Sequence, residues 1–301
     1  MKLGISCREI VSQLGYERAF ELCKESGFDA VDFGLELYGH QDDPADIYNA
    51  PEEAFVAHFT AIRKKAESLG LIISQTHGRC ITYTPDEKQC EYARWVSDKD
   101  LHATALLGAP ACVIHHLTGG RWPDHFDDGE FMIRKCLELY DYLIPVAEKY
   151  GVCVAMETFG RAVVYGKSHS DYFGDVRNLK KLYDMLDTKN KVLCMDTGHT
   201  HEVTPFGTPS VEESIRILGS DIKLLHLHDN NSTYDQHLPP IIVGKNLVNW
   251  PAVFDALDEI GFDGVYNFEL ILRQFTGVMP EAIKFLGIYL RNFIEKRGRI
   301  V

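Results

Sequence analysis

The stretch KLLHLHDNNSTYDQH, residues 223–237, places His226, His228, His237, Asp229 and Asp235 within fifteen residues. Imidazole nitrogens and carboxylate oxygens are the donor atoms that divalent transition metals take up. The first two histidines close an apolar run, IKLLHLH, which has the composition of a buried strand rather than of a solvated loop. The pattern recurs along the chain. The residues that close successive β-rich runs are His77 in LIISQTH, His115 in ACVIHH, Glu157 in VCVAME, Asp196 in KVLCMD, His226 in IKLLHLH and Glu269 in GVYNFEL. The tetrapeptide DTGH adds His199 just beyond Asp196. A lone histidine at a strand end is usually a hydrogen-bonded structural residue, and a lone glutamate an ion-pair partner. Several carboxylates gathered in one place repel each other and are costly to bury unless a cation lies among them. The set therefore predicts one divalent metal. Mixed carboxylate and imidazole donors suit manganese first, then cobalt, zinc or iron, and magnesium least.

That prediction requires elements that bring the run ends together. Eight short β-rich runs are present: KLGIS (2–6), DAVDFG (29–34), LIISQTH (71–77), ACVIHH (111–116), VCVAME (152–157), KVLCMD (191–196), IKLLHLH (222–228) and GVYNFEL (264–270). Between them, YERAFELCKES (16–26), EEAFVAHFTAIRKKAESL (52–69), EFMIRKCLELYDYLIPVAEKY (130–150) and PAVFDALDEI (251–260) carry apolar residues three and four apart, the period of a helix. Gly27, Gly70, Gly108, Gly151 and Gly261 stand where a helix stops ahead of a strand. Strands alternating with helices in this number predict an α/β fold, a single (β/α)8 TIM barrel over residues 1–301. No GxGxxG follows the first strand, which removes the main signal for a dinucleotide-binding sheet. In such a barrel the C-terminal strand ends share one mouth, where reacting groups sit.

Composition narrows the classes. A chain of 301 residues with 45% hydrophobic and 25% charged residues fits one large globular barrel, and no apolar run approaches the ~18 residues of a membrane span. The N-terminus, MKLGISCREI, has no signal-peptide pattern, so a cytoplasmic location is expected. Eight cysteines without a CxxC pair read as reduced structural thiols. A formal net charge of −13 opposes binding to nucleic acid, whose recognition rests on basic surfaces.

ETFG (157–160), DTGH (196–199), HLHD (226–229), DQHLPP (235–240) and FEL (268–270) resemble the motifs of the xylose-isomerase-like barrel superfamily, and the likeness runs through nearly the whole chain. That superfamily includes sugar and sugar-phosphate isomerases and epimerases, inosose dehydratases, subunits that cleave C-glycosides, and zinc-dependent apurinic-site endonucleases. The resemblance implies a sugar isomerase or epimerase working through a metal-stabilised enediolate, with a lyase or dehydratase and the endonuclease as alternatives. By the same resemblance Glu157, Asp196, His226 and Glu269 hold the metal, and Glu157 and Glu269 are the acid–base pair. His226 is preferred to His228 because its spacing to Asp229 is similar to the family pattern. His77, His115, His199, His228, Asp235 and His237 are expected to meet substrate hydroxyls, or in the endonuclease branch further zincs. Trp122, in GGRWPDHFDDGE, is a candidate to stack on a sugar, and Arg161, Lys167 and Arg273 to receive a phosphate. His116, alternating with His115, is expected to face the helices. The expected partner is a small sugar; a homo-oligomer or a partner subunit stays open.

Overall fold

The computed structural model describes residues 1–80, 83–240 and 245–299. The strands, in chain order, are β1 (Lys2–Ser6), β2 (Ala30–Gly34), β3 (Ile72–His77), β4 (Ala111–Val113), β5 (Cys153–Glu157), β6 (Arg161–Val164), β7 (Lys167–Ser170), β8 (Lys191–Asp196), β9 (Ile222–His226) and β10 (Val265–Phe268). Eight of them form one parallel sheet in the order β10-β1-β2-β3-β4-β5-β8-β9. A bridge between Leu227 and Phe268 joins the ends, with Leu227 N–H donating to Asn267 O at 2.8 Å, and the sheet closes into a barrel. All eight expected strands are present, which bears out the (β/α)8 expectation.

The helices between strands are α1 (Arg8–Glu25), α2 (Glu52–Ser68), α3 (Glu87–Leu107), α4 (Gly129–Tyr150), α5 (Val176–Met185), α6 (Thr197–Val203), α7 (Val211–Leu218), α8 (Trp250–Glu259) and α9 (Met279–Glu295). They bury their apolar faces against one side of the sheet, with Phe20, Phe59, Leu139, Phe254 and Ile283 in a single core. Gly108 and Gly151 stop α3 and α4 at φ of 75° and 70°, a left-handed conformation that glycine adopts without steric cost.

Strand alternation explains how the mouth is built. Ala111, Val113, Ala155, Cys194 and Leu224 form a small apolar cluster of their own, apart from the helix-packed core, and point into the barrel lumen. Two residues further along β5, β8 and β9, on the same face, stand Glu157, Asp196 and His226. The lumen thus changes from apolar to ionisable within one strand repeat. Parallel pairing sets the neighbours level: Glu157 is in register with Cys194, Asp196 with His226, and Gly34 with His77.

Two local features depart from the sequence reading. Regular pairing of the fourth strand ends at Val113, so His115 is carried on the segment that follows it. The stretch after the fifth strand, read only as a place for cations, is an antiparallel hairpin of β6 and β7 turning at Tyr165 and Gly166, both with positive φ. No helix among the described residues is long and apolar enough to cross a membrane.

Candidate active site

The mouth of the barrel opens as a cleft of about 350 Å³, and His77, His115, Glu157, His199, Asp235, His237, Glu269 and Arg273 all line it. At its floor His226 is fully buried, with Nδ1 2.5 Å from Glu157 Oε1, 3.1 Å from Glu269 Oε2 and 3.9 Å from Asp196 Oδ2. One donor atom from each of Glu157, Asp196, His226 and Glu269 lies within 4.8 Å of the other three, the separation at which side chains share one ion. The far side of the His226 ring is fixed as well: Nε2 lies 3.2 Å from Oδ2 of Asp32, a carboxylate wholly buried in β2. A partner on Nε2 leaves Nδ1 to carry the lone pair, the outer-contact arrangement seen behind metal-bound histidines.

Asp196 has a second duty. Its Oδ1 accepts the N–H of His199 at 2.6 Å, capping α6, so the helix that follows starts inside the site. His228 lies behind it, fully buried, with Nε2 2.9 Å from the same Oδ1. The two histidines of β9 do share a face, but they go to different groups. His226 joins the glutamates, whereas His228 joins His199, Asp235 and His237 in a second cluster, stacked on the His237 ring at 3.9 Å. Asp235 Oδ2 holds that outer cluster together, 2.9 Å from His237 Nε2 and 3.5 Å from His199 Nε2.

Without a metal the charges are balanced by protons. Burial by itself raises the pKa of Glu157, yet His226, His115 and His77 outweigh it and hold this carboxyl well below its usual range. Burial likewise opposes ionisation of Glu269, but His226, His237 and His77 bring it down to about 2. The imidazoles respond in the opposite sense. Burial disfavours their charge, but Cys80 and Glu157 push His115 up to about 9, and Glu269 and Asp235 do the same for His237. A site made of ionised carboxylates compensated by imidazolium protons is one in which a divalent cation can replace the protons. Oε2 of Glu157, fully buried and without a hydrogen-bond partner among the described residues, fits the same donor role.

Not every expected residue reaches the cleft. Trp122 is spent on packing: its ring meets Phe131 at 5.0 Å and its indole N–H donates to Tyr83 O at 3.1 Å, so it is not a cleft wall. Arg161 is held by Glu202 O at 3.0 Å and Ser232 O at 2.5 Å and lies over the Phe206 ring, and Lys167 sits on the exposed hairpin. Asp229 binds Val248 N and Trp250 Nε1, so it pins a loop. His116 faces the helices as expected, between Phe159 and Phe173 at 4.3 and 4.7 Å. Sequence reasoning missed Asp32, Arg8, Glu36 and Cys80. Of these, Arg8, Glu36 and Cys80 line the cleft, with Arg8 paired to Glu36 at 2.8 Å. For Asp32 the signal was there to read, an acid in the middle of the apolar run DAVDFG.

A family model described as xylose isomerase-like TIM barrel matches residues 20–287. The chain belongs to this family. Among solved structures, this xylose isomerase-like barrel is similar to a D-tagatose 3-epimerase-like protein, with 20% identity, TM-score 0.67, and 98% and 99% of the two chains covered. It is also similar to the D-psicose 3-epimerase of Clostridium cellulolyticum, with 14% identity, TM-score 0.71 and both chains covered in full. The IolI protein, solved with a bound zinc atom, matches with 16% identity, TM-score 0.70 and full coverage of both chains. These likenesses show the fold. In sequence, the chain is 30% identical over 130 residues to an uncharacterized protein of Methanocaldococcus jannaschii, covering 42% of this chain and 40% of that relative.

Proposed function

We propose that this protein is a divalent-metal-dependent sugar epimerase or isomerase, with manganese as its ion and Glu157 and Glu269 as its acid–base pair. The observation that supports this reading is the convergence of Glu157, Asp196, His226 and Glu269 on one point at the floor of an open polar cleft. The epimerases among its structural neighbours favour the same chemistry.

Those four side chains would hold the ion. When bound, it polarises a substrate carbonyl and spreads the negative charge of an enediolate, a contribution of several kcal/mol. The chain supplies the proton chemistry. Glu157 rises from β5 and Glu269 follows β10, with β8 and β9 between them, so the two carboxylates reach the floor from different sides. One takes the proton from the carbon next to the carbonyl. In epimerisation the other, entering the step protonated, delivers its own proton to the opposite face; in isomerisation a proton goes instead to the neighbouring carbon. Neighbouring imidazoles favour the ionised form of both, so either is ready to act as base, and the one that acts as acid takes its proton from solvent before the step. His199, Asp235 and His237 line the cleft and are placed to bind sugar hydroxyls, and Arg273, which lines it too, is the cation that would meet a phosphate.

The test is to incubate manganese-loaded protein with ketoses and sugar phosphates in heavy water and to follow deuterium at the α-carbon by NMR. Incorporation that disappears in Glu157→Gln supports the reading. Absence of exchange across the panel, with expulsion of a β-leaving group instead, would assign the site to a lyase, and incision of an abasic duplex to a nuclease.

A further inference from the structure

Arg161 opens β6 four residues beyond Glu157 and stands outside the cleft lining, yet its polar contacts reach three separate segments around the mouth. Its backbone N–H donates to Glu202 Oε1 at 2.8 Å and its Nε to Glu202 O at 3.0 Å, in α6, the helix that carries His199. Nη1 donates to Ser168 Oγ at 3.3 Å across the hairpin, and Nη2 to Ser232 O at 2.5 Å in the loop after β9. The guanidinium lies over the Phe206 ring, 4.8 Å from its centre. Gly160 makes the approach to α6 possible, because a Cβ there would stand 1.9 Å from Glu202 Oε1.

The loop that Arg161 grips is the one that bears Asp235 and His237. Asp229 and Leu238 close its base with two backbone hydrogen bonds, 2.7 and 2.9 Å, and the buried Asn230 donates from Nδ2 to Gly198 O at 2.7 Å. Further out the loop bonds to itself: Ser232 N–H donates to Asn230 Oδ1, Thr233 N–H to Asn231 Oδ1 and Asn231 N–H to Gln236 Oε1. Ser232 holds φ of 58°, a conformation uncommon for a residue with a Cβ, and its carbonyl is turned to the Arg161 fork. Three residues on, Asp235 Oδ2 lies 3.5 Å from His199 Nε2. A tie between α6 and this loop therefore sets the spacing of His199, on one, from Asp235 and His237, on the other.

We propose that Arg161 is a positioning residue of the cleft: its guanidinium couples α6, the hairpin and the loop after β9, and so holds Asp235 and His237 at the distance from His199 at which the three bind substrate hydroxyls together. The inference rests on the hydroxyl-binding reading of those three residues given above. A planar fork suits the task, because an ammonium has a single nitrogen and does not reach all three acceptors.

The test compares full-length wild type with Arg161→Met, which keeps the stem and removes the fork, and with Arg161→Lys. Amide hydrogen exchange followed by mass spectrometry is expected to quicken about tenfold or more across residues 230–238 of Arg161→Met, the worth of one hydrogen bond from a charged group, while β5 and β8 stay as slow as in wild type. Arg161→Lys is expected to restore this protection only in part. On a substrate found by the heavy-water panel, Arg161→Met is expected to raise KM about tenfold and to leave kcat within about threefold, the mark of binding lost equally from ground and transition states. Loop exchange that stays at the wild-type rate, that quickens equally in every strand, or that lysine restores in full overturns the positioning role, as does a fall in kcat with KM unchanged. The exchange measurement needs no substrate, so an empty panel counts against the epimerase reading while the tie itself is decided by the loop.

Discussion

The two ends of the barrel solve opposite problems with the same strands. At the N-terminal end, Ala111, Val192, Leu224 and Val265 line an apolar cavity of about 440 Å³. At the C-terminal mouth, one strand repeat away, the lumen holds Glu157, Asp196, His226 and Glu269. Apolar burial stabilises the fold at ~25 cal/mol per Å² removed from water. Buried carboxylates do the reverse unless compensated, and here the compensation comes from protons on neighbouring imidazoles. The contrast teaches that the mouth is not there to hold the barrel together. It is a set of charges that the lower barrel and the helix layer hold together, in the arrangement that the proposed cation requires.

Several measurements would sharpen or break this division. The largest effect is expected at the mouth: Glu157→Gln should lower the rate of α-proton exchange by about 10²–10⁴-fold, the contribution of a positioned acid or base. Its urea midpoint should fall only modestly, since the imidazoles left without their carboxylate can release their protons. A large loss of stability would mean that the carboxylate is structural and would erase the distinction between the two ends. The converse variant is Leu224→Ala at the lower layer. It should destabilise the protein by about 2–4 kcal/mol in urea unfolding through the cavity it leaves, while its metal content stays that of the wild type.

Asp32→Asn probes the join between the two ends, because Asp32 lies in the lumen behind His226. Metal affinity, measured by titration calorimetry, should fall about 10–100-fold, as for other partners behind ligating histidines. An unchanged affinity would show that the ring is held by packing alone.

The smallest effect is the pH dependence of the metal-free protein. Glu269, brought down to about 2, contributes stability that is present above the unfolded value of roughly 4.3 and is lost as pH falls toward 2. His115 and His237, raised to about 9, contribute stability that is complete below roughly 6.5 and is lost as pH rises through 9. Thermal melts should therefore be flat between about pH 5 and 6.5 and decline on either side. Added metal should raise Tm more at pH 9 than at pH 6, because it no longer competes with imidazole protons.

How much of this was legible in the chain follows from the same contrast. Short apolar β-rich runs made the eight strands readable, and helix-stopping glycines made the alternation readable, so the barrel and its mouth could be placed from sequence. The four inner residues were legible because each closes an apolar run, where an ionisable side chain has no packing reason to be. Trp122 was misplaced because a loop aromatic has no periodicity to say which way it turns, and it turned to Phe131. Cys80 was read as structural with the other cysteines because its place on the cleft wall comes from a turn anchored by Arg79 and Asp100, contacts that no local pattern records.

The sequence alone determined the strand count, the end of each strand at which ionisable groups stand, and the donor types available to an ion. Only the tertiary structure decided the partition of the histidines: His226 with the glutamates, His228 with Asp196 and the outer cluster, His77 and His115 with Cys80. The reason is physical. Spacing along a strand fixes which face a side chain takes, but which carboxylate lies opposite depends on barrel register and on turns closed by residues distant in the chain.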